Sequence, residues 1–96
     1  MSISYIVYTN NSEKYIGKVL KKVLSKMNEN DQLIIVDDRS EDGTIPIVVG
    51  YVGYDWEDEE HYKLYINTEV KGKRKSIEMA KKIATCDFKF IVNKKK

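Results

Sequence analysis

The sequence predicts an α/β domain: a mainly parallel sheet of about four strands with helices on both faces. Three observations predict it. Short β-branched and aromatic runs alternate with helical patterns along the chain. One run, Leu33-Ile34-Ile35-Val36, is apolar without a break, as a central parallel strand covered on both faces must be. Polar, turn-forming segments follow the strands, where ligands of open parallel sheets bind.

Each element has its own warrant. Ile3 to Tyr8 is β-branched and aromatic and reads as the first strand. Thr9-Asn10-Asn11-Ser12 then turns the chain, and Asn10 or Asn11 is the expected N-cap of a helix. Tyr15, Ile16, Val19, Leu20, Val23, Leu24 and Met27 recur at helical spacing with lysines between them. Asn28 to Asp31 ends that helix, and the apolar run 33–36 is the second strand. Asp37 to Thr44 is a turn-rich loop. For residues 45–54 propensity favours a strand and topology favours a helix. Pro46 suits a first helical turn opened by Thr44, so the reading is a short helix. His61 to Ile66 alternates as a third strand, Ser76 to Thr85 is a second amphipathic helix, and Phe88 to Val92 is a fourth strand. The order βαβ(α)βαβ implies right-handed crossovers and a Rossmann-like three-layer arrangement.

Composition bounds the rest. A chain of 96 residues with 42% hydrophobic and 33% charged residues is one globular domain, residues 1–96. No apolar run is long enough to span a membrane, and residues 1–8 lack the basic start and cleavage site of a signal peptide. The single Cys86 excludes an internal disulfide and multi-cysteine zinc sites, and it fits a reducing, cytoplasmic setting. The net charge of +2 rests on Lys94, Lys95 and Lys96; without them the chain carries −1, which argues against nucleic acid.

The pair Asp37-Asp38 directly follows a buried strand. Such carboxylates accept hydrogen bonds from a nucleobase N–H or ribose hydroxyls, help to hold a divalent cation, or cap a turn. Thr9 and Asn11 lie at the same end of the sheet, as loop residues or caps. Lys71, Lys73, Arg74 and Lys75 precede the helix from Ser76, where they either hold phosphate or solubilise the surface. His61 has no second ligand type beside it and reads as a surface residue; Cys86 reads as structural. Trp56 sits in an acidic run, Asp55 to Glu60, as a partner contact or a residue folded onto the sheet.

These residues resemble a known family. Tyr8-Thr9-Asn10-Asn11 followed by a helix is similar to the Pro-Thr-Tyr-Asn opening of family 2 glycosyltransferases. Ile34-Ile35-Val36-Asp37-Asp38-Arg39-Ser40-Glu41-Asp42-Gly43-Thr44 resembles that family's Ile-Ile-Val-Asp-Asp-Gly-Ser-x-Asp-Gly-Thr, with Arg39 in place of glycine. Ala84 to Ile91 resembles the Ala-x-Gly-Glu-Tyr-Ile-x-Phe segment that precedes the family's metal motif. The resemblance covers nearly the whole chain. It implies the nucleotide-binding half of a GT-A fold, which takes a UDP- or GDP-sugar. Thr9, Asn11, Asp37 and Asp38 are then the expected nucleotide contacts: Thr9 and Asp38 against the base, and Asp37 near the ribose or holding the loop. Arg74 and Lys95 are the expected diphosphate contacts.

The departures carry equal information. Family members coordinate Mg²⁺ or Mn²⁺ through Asp-x-Asp, but this position reads Asn93-Lys94-Lys95. Asn offers a metal one neutral oxygen and lysine none. Lysine would stand in as a point charge on the diphosphate, or residues 93–96 form a frayed basic tail. No residue matches the family's catalytic base, and Asn10 replaces an aromatic expected beside the nucleobase. The resulting expectation is a glycosyltransferase-like protein that binds a nucleotide or nucleotide-sugar, with transfer of a hexosyl group in question. The alternative is a non-enzymatic α/β interaction module on the same fold. An exposed sheet edge is expected, with a homodimer or partner chain upon it. A phosphoacceptor-aspartate reading fits less well, because the acidic pair follows the second strand rather than the first.

Overall fold

The structure, a computed structural model, describes residues 2–52, 61–67 and 72–92. Seven elements alternate along the chain: β1 (Ile3–Thr9), α1 (Ile16–Lys26), β2 (Gln32–Asp37), α2 (Thr44–Val52), β3 (Tyr62–Ile66), α3 (Lys73–Ile83) and β4 (Phe88–Val92). The four strands form one sheet in the order β3-β2-β1-β4, and every pair is parallel. The expected α/β architecture is present, including α2 where strand propensity competed. Val48 and Val49 are buried there, so tertiary packing decides a segment whose local preference is extended.

The period of two along the strands sorts the core into two layers. Tyr5, Val7, Leu33 and Ile35 face one way and pack with Ile16, Leu20 and Val23 of α1 and Val48 of α2. Ile6, Ile34 and Val36 face the other way, against Ala80 of α3. All six residues of β2 are buried, as its unbroken apolar run requires. The connection from β3 to β4 carries the chain past β1 to the opposite edge. The strand order therefore reverses between β1 and β4, and the carboxyl ends around that crevice are the expected ligand end of such a sheet.

Two helix starts differ from the sequence reading. Neither Asn10 nor Asn11 caps α1, which opens at Ile16 with no side-chain cap. The Ser12 carbonyl accepts from the N–H groups of Tyr15 and Ile16 instead, and both asparagine amides are engaged with the β2–α2 loop. Helix α3 opens at Lys73 rather than Ser76, after Gly72 at φ 113°. A left-handed backbone of that kind suits glycine. The helix ends at Ile83 rather than Thr85, because the N–H groups of Thr85 and Cys86 turn to Gln32 Oε1 and Ser4 Oγ.

At the opposite edge of the sheet, β4 leaves Phe88 and Phe90, two residues of one strand face, 50% and 56% exposed. Trp56 with its acidic run, Lys71, and residues 93–96 including Lys95 lie outside the described residues. Among the described residues no helix is long and apolar enough to cross a membrane.

Candidate functional site

The candidate site is the carboxyl end of β1 and β2 with the loops that leave them. Backbone pairing runs beyond both strands. The Asp38 N–H donates to the Thr9 carbonyl (2.8 Å), and the Asn67 N–H donates to the Asp37 carbonyl (2.7 Å). Three chain segments are thereby fixed side by side before any side chain is considered.

Thr9 pairs with Asp37 across the sheet, so the two side chains share a face. Both are fully buried. Thr9 Oγ1 donates to Asp37 Oδ1 (2.6 Å), the Ser40 hydroxyl donates to the same oxygen (2.6 Å), and the Ser40 N–H donates to Oδ2 (2.9 Å). Asp37 thus commits both oxygens to the loop, and its charge is spread over three donors.

Asp38 is arranged differently. Its Oδ2 accepts from the Gly72 N–H at the head of α3 (3.0 Å) and from the Tyr8 hydroxyl (3.2 Å). Its Oδ1 has no hydrogen-bond partner among the described residues. Burial, followed by the charge of Asp38, pushes the Tyr8 hydroxyl up to about 12, so at neutral pH it is a donor. Asn10 Nδ2 donates to the Asp38 carbonyl (2.6 Å), which fixes the backbone of the acidic pair from β1.

The β1–α1 and β2–α2 loops are laced together beyond this point. The Asn11 N–H donates to Ser40 Oγ (2.8 Å), and the Glu41 N–H donates to Asn11 Oδ1 (2.8 Å). The Ser12 N–H donates to Thr44 Oγ1 (2.7 Å), and the Glu13 N–H to Asp42 Oδ2 (3.1 Å). Asp42 also receives the Thr44 hydroxyl and N–H, which caps α2. The Thr44 hydroxyl is the main reason the Asp42 carboxyl lies below the usual carboxylate range. Asn11 and Arg39 both have positive φ, 49° and 56°. The resemblance places glycine where Arg39 stands, and φ 56° is the backbone that explains a glycine there. Arg39 Nε donates to the Asn67 carbonyl (3.3 Å).

The structure therefore brings Thr9, Asn11, Asp37 and Asp38 together at one end of the sheet. Arg74 lies on the exposed side of α3, 91% exposed and 3.6 Å from Glu78. Lys95 falls outside the described residues. Sequence reasoning missed three participants: Tyr8, Gly72 and Asn67. Tyr8 was legible in principle. It pairs with Val36, so Tyr8 and Asp38 fall on the same side of the sheet. Gly72 and Asn67 had no local signal, because their contacts reach across the chain. Asn67 Nδ2 donates to Ser76 Oγ (2.8 Å), and both residues are buried.

Among the described residues no three His, Cys, Asp or Glu side chains gather as metal ligands. At the Asp-x-Asp position Asn93-Lys94-Lys95 offers one neutral oxygen and two cations, so the residues present do not fit a divalent cation.

Comparison with known proteins agrees with this geometry. A family model described as glycosyl transferase family 2 matches residues 4–93. Among solved structures, the chain is similar to the mannosyltransferase PcManGT from Pyrobaculum calidifontis in complex with GDP-Man and Mn²⁺. The two share 25% identity and superpose with a TM-score of 0.73 over 86% of this chain. The match spans 24% of the mannosyltransferase chain. No curated protein sequence matches.

Proposed function

Because this chain belongs to glycosyl transferase family 2, we propose that it binds a nucleotide or nucleotide-sugar of the UDP or GDP type at the carboxyl ends of β1 and β2. The observation that carries the reading is the division of labour within the acidic pair. Asp37 is consumed in building the loop, whereas Asp38 keeps an acceptor oxygen at the carboxyl end of β2, the end of a parallel sheet where ligands bind. The mannosyltransferase that shares this fold holds GDP-Man, which supports a nucleotide-sugar as the ligand class.

In this reading Asp38 meets the nucleobase, and Asn11 lines the same end of the site. Thr9 and Asp37 act from behind, by holding the loop in shape. The diphosphate is met by cations rather than through a metal, with Arg74 and Lys95 as the residues proposed. Any turnover is transfer or hydrolysis of a hexosyl group, and no residue is assigned as its base.

A ¹⁵N-HSQC titration with UDP and GDP, with and without Mn²⁺, tests the proposal. Shifts centred on Thr9, Asn11, Asp37 and Asp38, equal with and without metal, are the expected result. Unmoved resonances at millimolar nucleotide overturn it.

One observation favours the second reading, an interaction module without turnover. Phe88 and Phe90 are about half exposed on β4, beside a groove of about 550 Å³ between that strand and α1. The occupant in that reading is a second copy of this chain paired along β4. Sedimentation across a concentration series distinguishes monomer from dimer, and Phe90→Lys should abolish any dimer.

A further inference from the structure

We infer that Tyr8 is a positioning residue that fills one oxygen of Asp38, leaving a single acceptor that selects a uracil-type base over guanine. The inference deepens the nucleotide reading above and rests on it.

A free carboxylate has two oxygens and about four lone-pair sites. It can take two adjacent N–H donors side by side. The guanine edge presents such a pair, N1–H beside the N2 amino group. The uracil edge presents one donor, N3–H, between two carbonyls.

Asp38 is not a free carboxylate. Its Oδ2 already receives two donors, the Gly72 N–H at 3.0 Å and the Tyr8 hydroxyl at 3.2 Å. Those bonds come from two sides. Tyr8 stands on β1, and Gly72 stands at the head of α3. The carboxylate is therefore clamped in orientation as well as occupied. Among the described residues Oδ1 has no donor, and Asp38 is only 7% exposed.

One imino N–H satisfies that oxygen. A guanine set on it would leave its second donor facing an oxygen that already accepts two donors, and so without a good partner. Cytosine would place the N3 lone pair against the carboxylate. A site that loses a hydrogen bond on the wrong ligand discriminates by a large factor.

Toward an acceptor-only carboxylate the protonated Tyr8 hydroxyl must donate, and it stays protonated throughout the working pH range. The resemblance expects an aromatic at position 10, where this chain has Asn10, and it expects proline at position 8. The phenol that reaches Asp38 is thus a feature of this chain's own strand.

Isothermal titration of the full chain with UDP, GDP and CDP, without metal, tests the inference. UDP should bind at least about tenfold more tightly than GDP or CDP, the effect of one unpaired donor or one opposed lone pair. Tyr8→Phe should keep a dispersed ¹⁵N-HSQC spectrum and move the UDP-to-GDP ratio toward one. A residue needed only for the fold would weaken both nucleotides alike and leave that ratio unchanged. Asp38→Asn, with its amide oxygen kept toward Gly72, would offer an N–H donor in place of Oδ1. It should shift the preference from UDP to CDP.

GDP binding as tightly as UDP overturns the inference and leaves the nucleotide reading standing. An unchanged ratio in folded Tyr8→Phe overturns the role given to Tyr8. Failure of all three nucleotides to bind overturns the nucleotide reading and the inference with it.

Discussion

The two ends of the sheet both carry buried polar groups, and they use them differently. At the amino end, Asp31 is 1% exposed and divides its oxygens between the N–H groups of Ile3 and Asn28, each at 2.9 Å. Gln32 is equally buried, and its Oε1 receives the Ser4 hydroxyl and the Thr85 N–H. The group left over is Gln32 Nε2, which is sealed from solvent without a partner. At the carboxyl end the group left over among the described residues is Asp38 Oδ1, on a residue 7% exposed, against 1% for Gln32. A sealed orphan donor costs stability, on the order of 1–3 kcal/mol, and does nothing else. An acceptor left at the ligand end of a parallel sheet is available to a ligand. Buried polarity alone does not mark a site; what matters is which end of the sheet it serves.

Breaking each end separately sharpens the contrast. The largest effect should come from Asp37→Ala, which removes the acceptor for three donors, two of them hydroxyls. A loss of about 3 kcal/mol in urea unfolding is expected, and nucleotide binding should fail with the loop. Asp31→Ala should cost about 2 kcal/mol by freeing two backbone N–H groups, yet leave nucleotide affinity unchanged. Equal damage to affinity from both variants would erase the distinction between the ends.

Arg39→Gly should raise stability by about 0.5 kcal/mol. Relief of a left-handed non-glycine backbone is expected to outweigh the loss of Arg39's side-chain bonds, that to the Asn67 carbonyl among them, and the added freedom of the unfolded chain. Denaturant midpoints at constant slope would measure it, and a lower midpoint would refute the strain.

Titration supplies effects that show only toward the extremes of pH. The Tyr8 hydroxyl is raised from 10.0 to about 12 in the fold. The stability tied to its proton is therefore whole below pH 10 and is lost as pH rises from 10 through 12. Tyr8→Phe should remove that alkaline decline. Asp42 titrates below its ordinary 3.8 in the fold. Its contribution is present above that pH and fades as pH falls beneath it. Asp42→Asn should flatten the acid limb of the curve.

How much was legible beforehand follows from how local each signal is. The order of strands and helices, the continuous burial of β2 and the position of the Asp37–Thr44 loop are written in spacing along the chain. Periodicity is imposed by whichever face must be dry, and each residue reports its own face. Even the helical state of residues 45–52, which propensity opposed, followed from the need for a crossover between parallel strands.

The sequence could not assign tasks within Asp37-Asp38, because two adjacent aspartates carry the same chemistry. Strand alternation turned Asp37 toward Thr9 and Ser40. It turned Asp38 toward Tyr8 and a backbone N–H lying 34 residues further along the chain. Helix starts failed for the same reason. A capping residue is predicted from its neighbours, but Asn10 and Asn11 found better partners across the β2–α2 loop. The sequence by itself determined the elements and their order, since these depend on local pattern and apolar burial. Only the tertiary structure decided which carboxylate spends both oxygens on the loop and which is held by β1 and the head of α3 instead, since hydrogen-bond partners are allotted by register and by what the fold brings near.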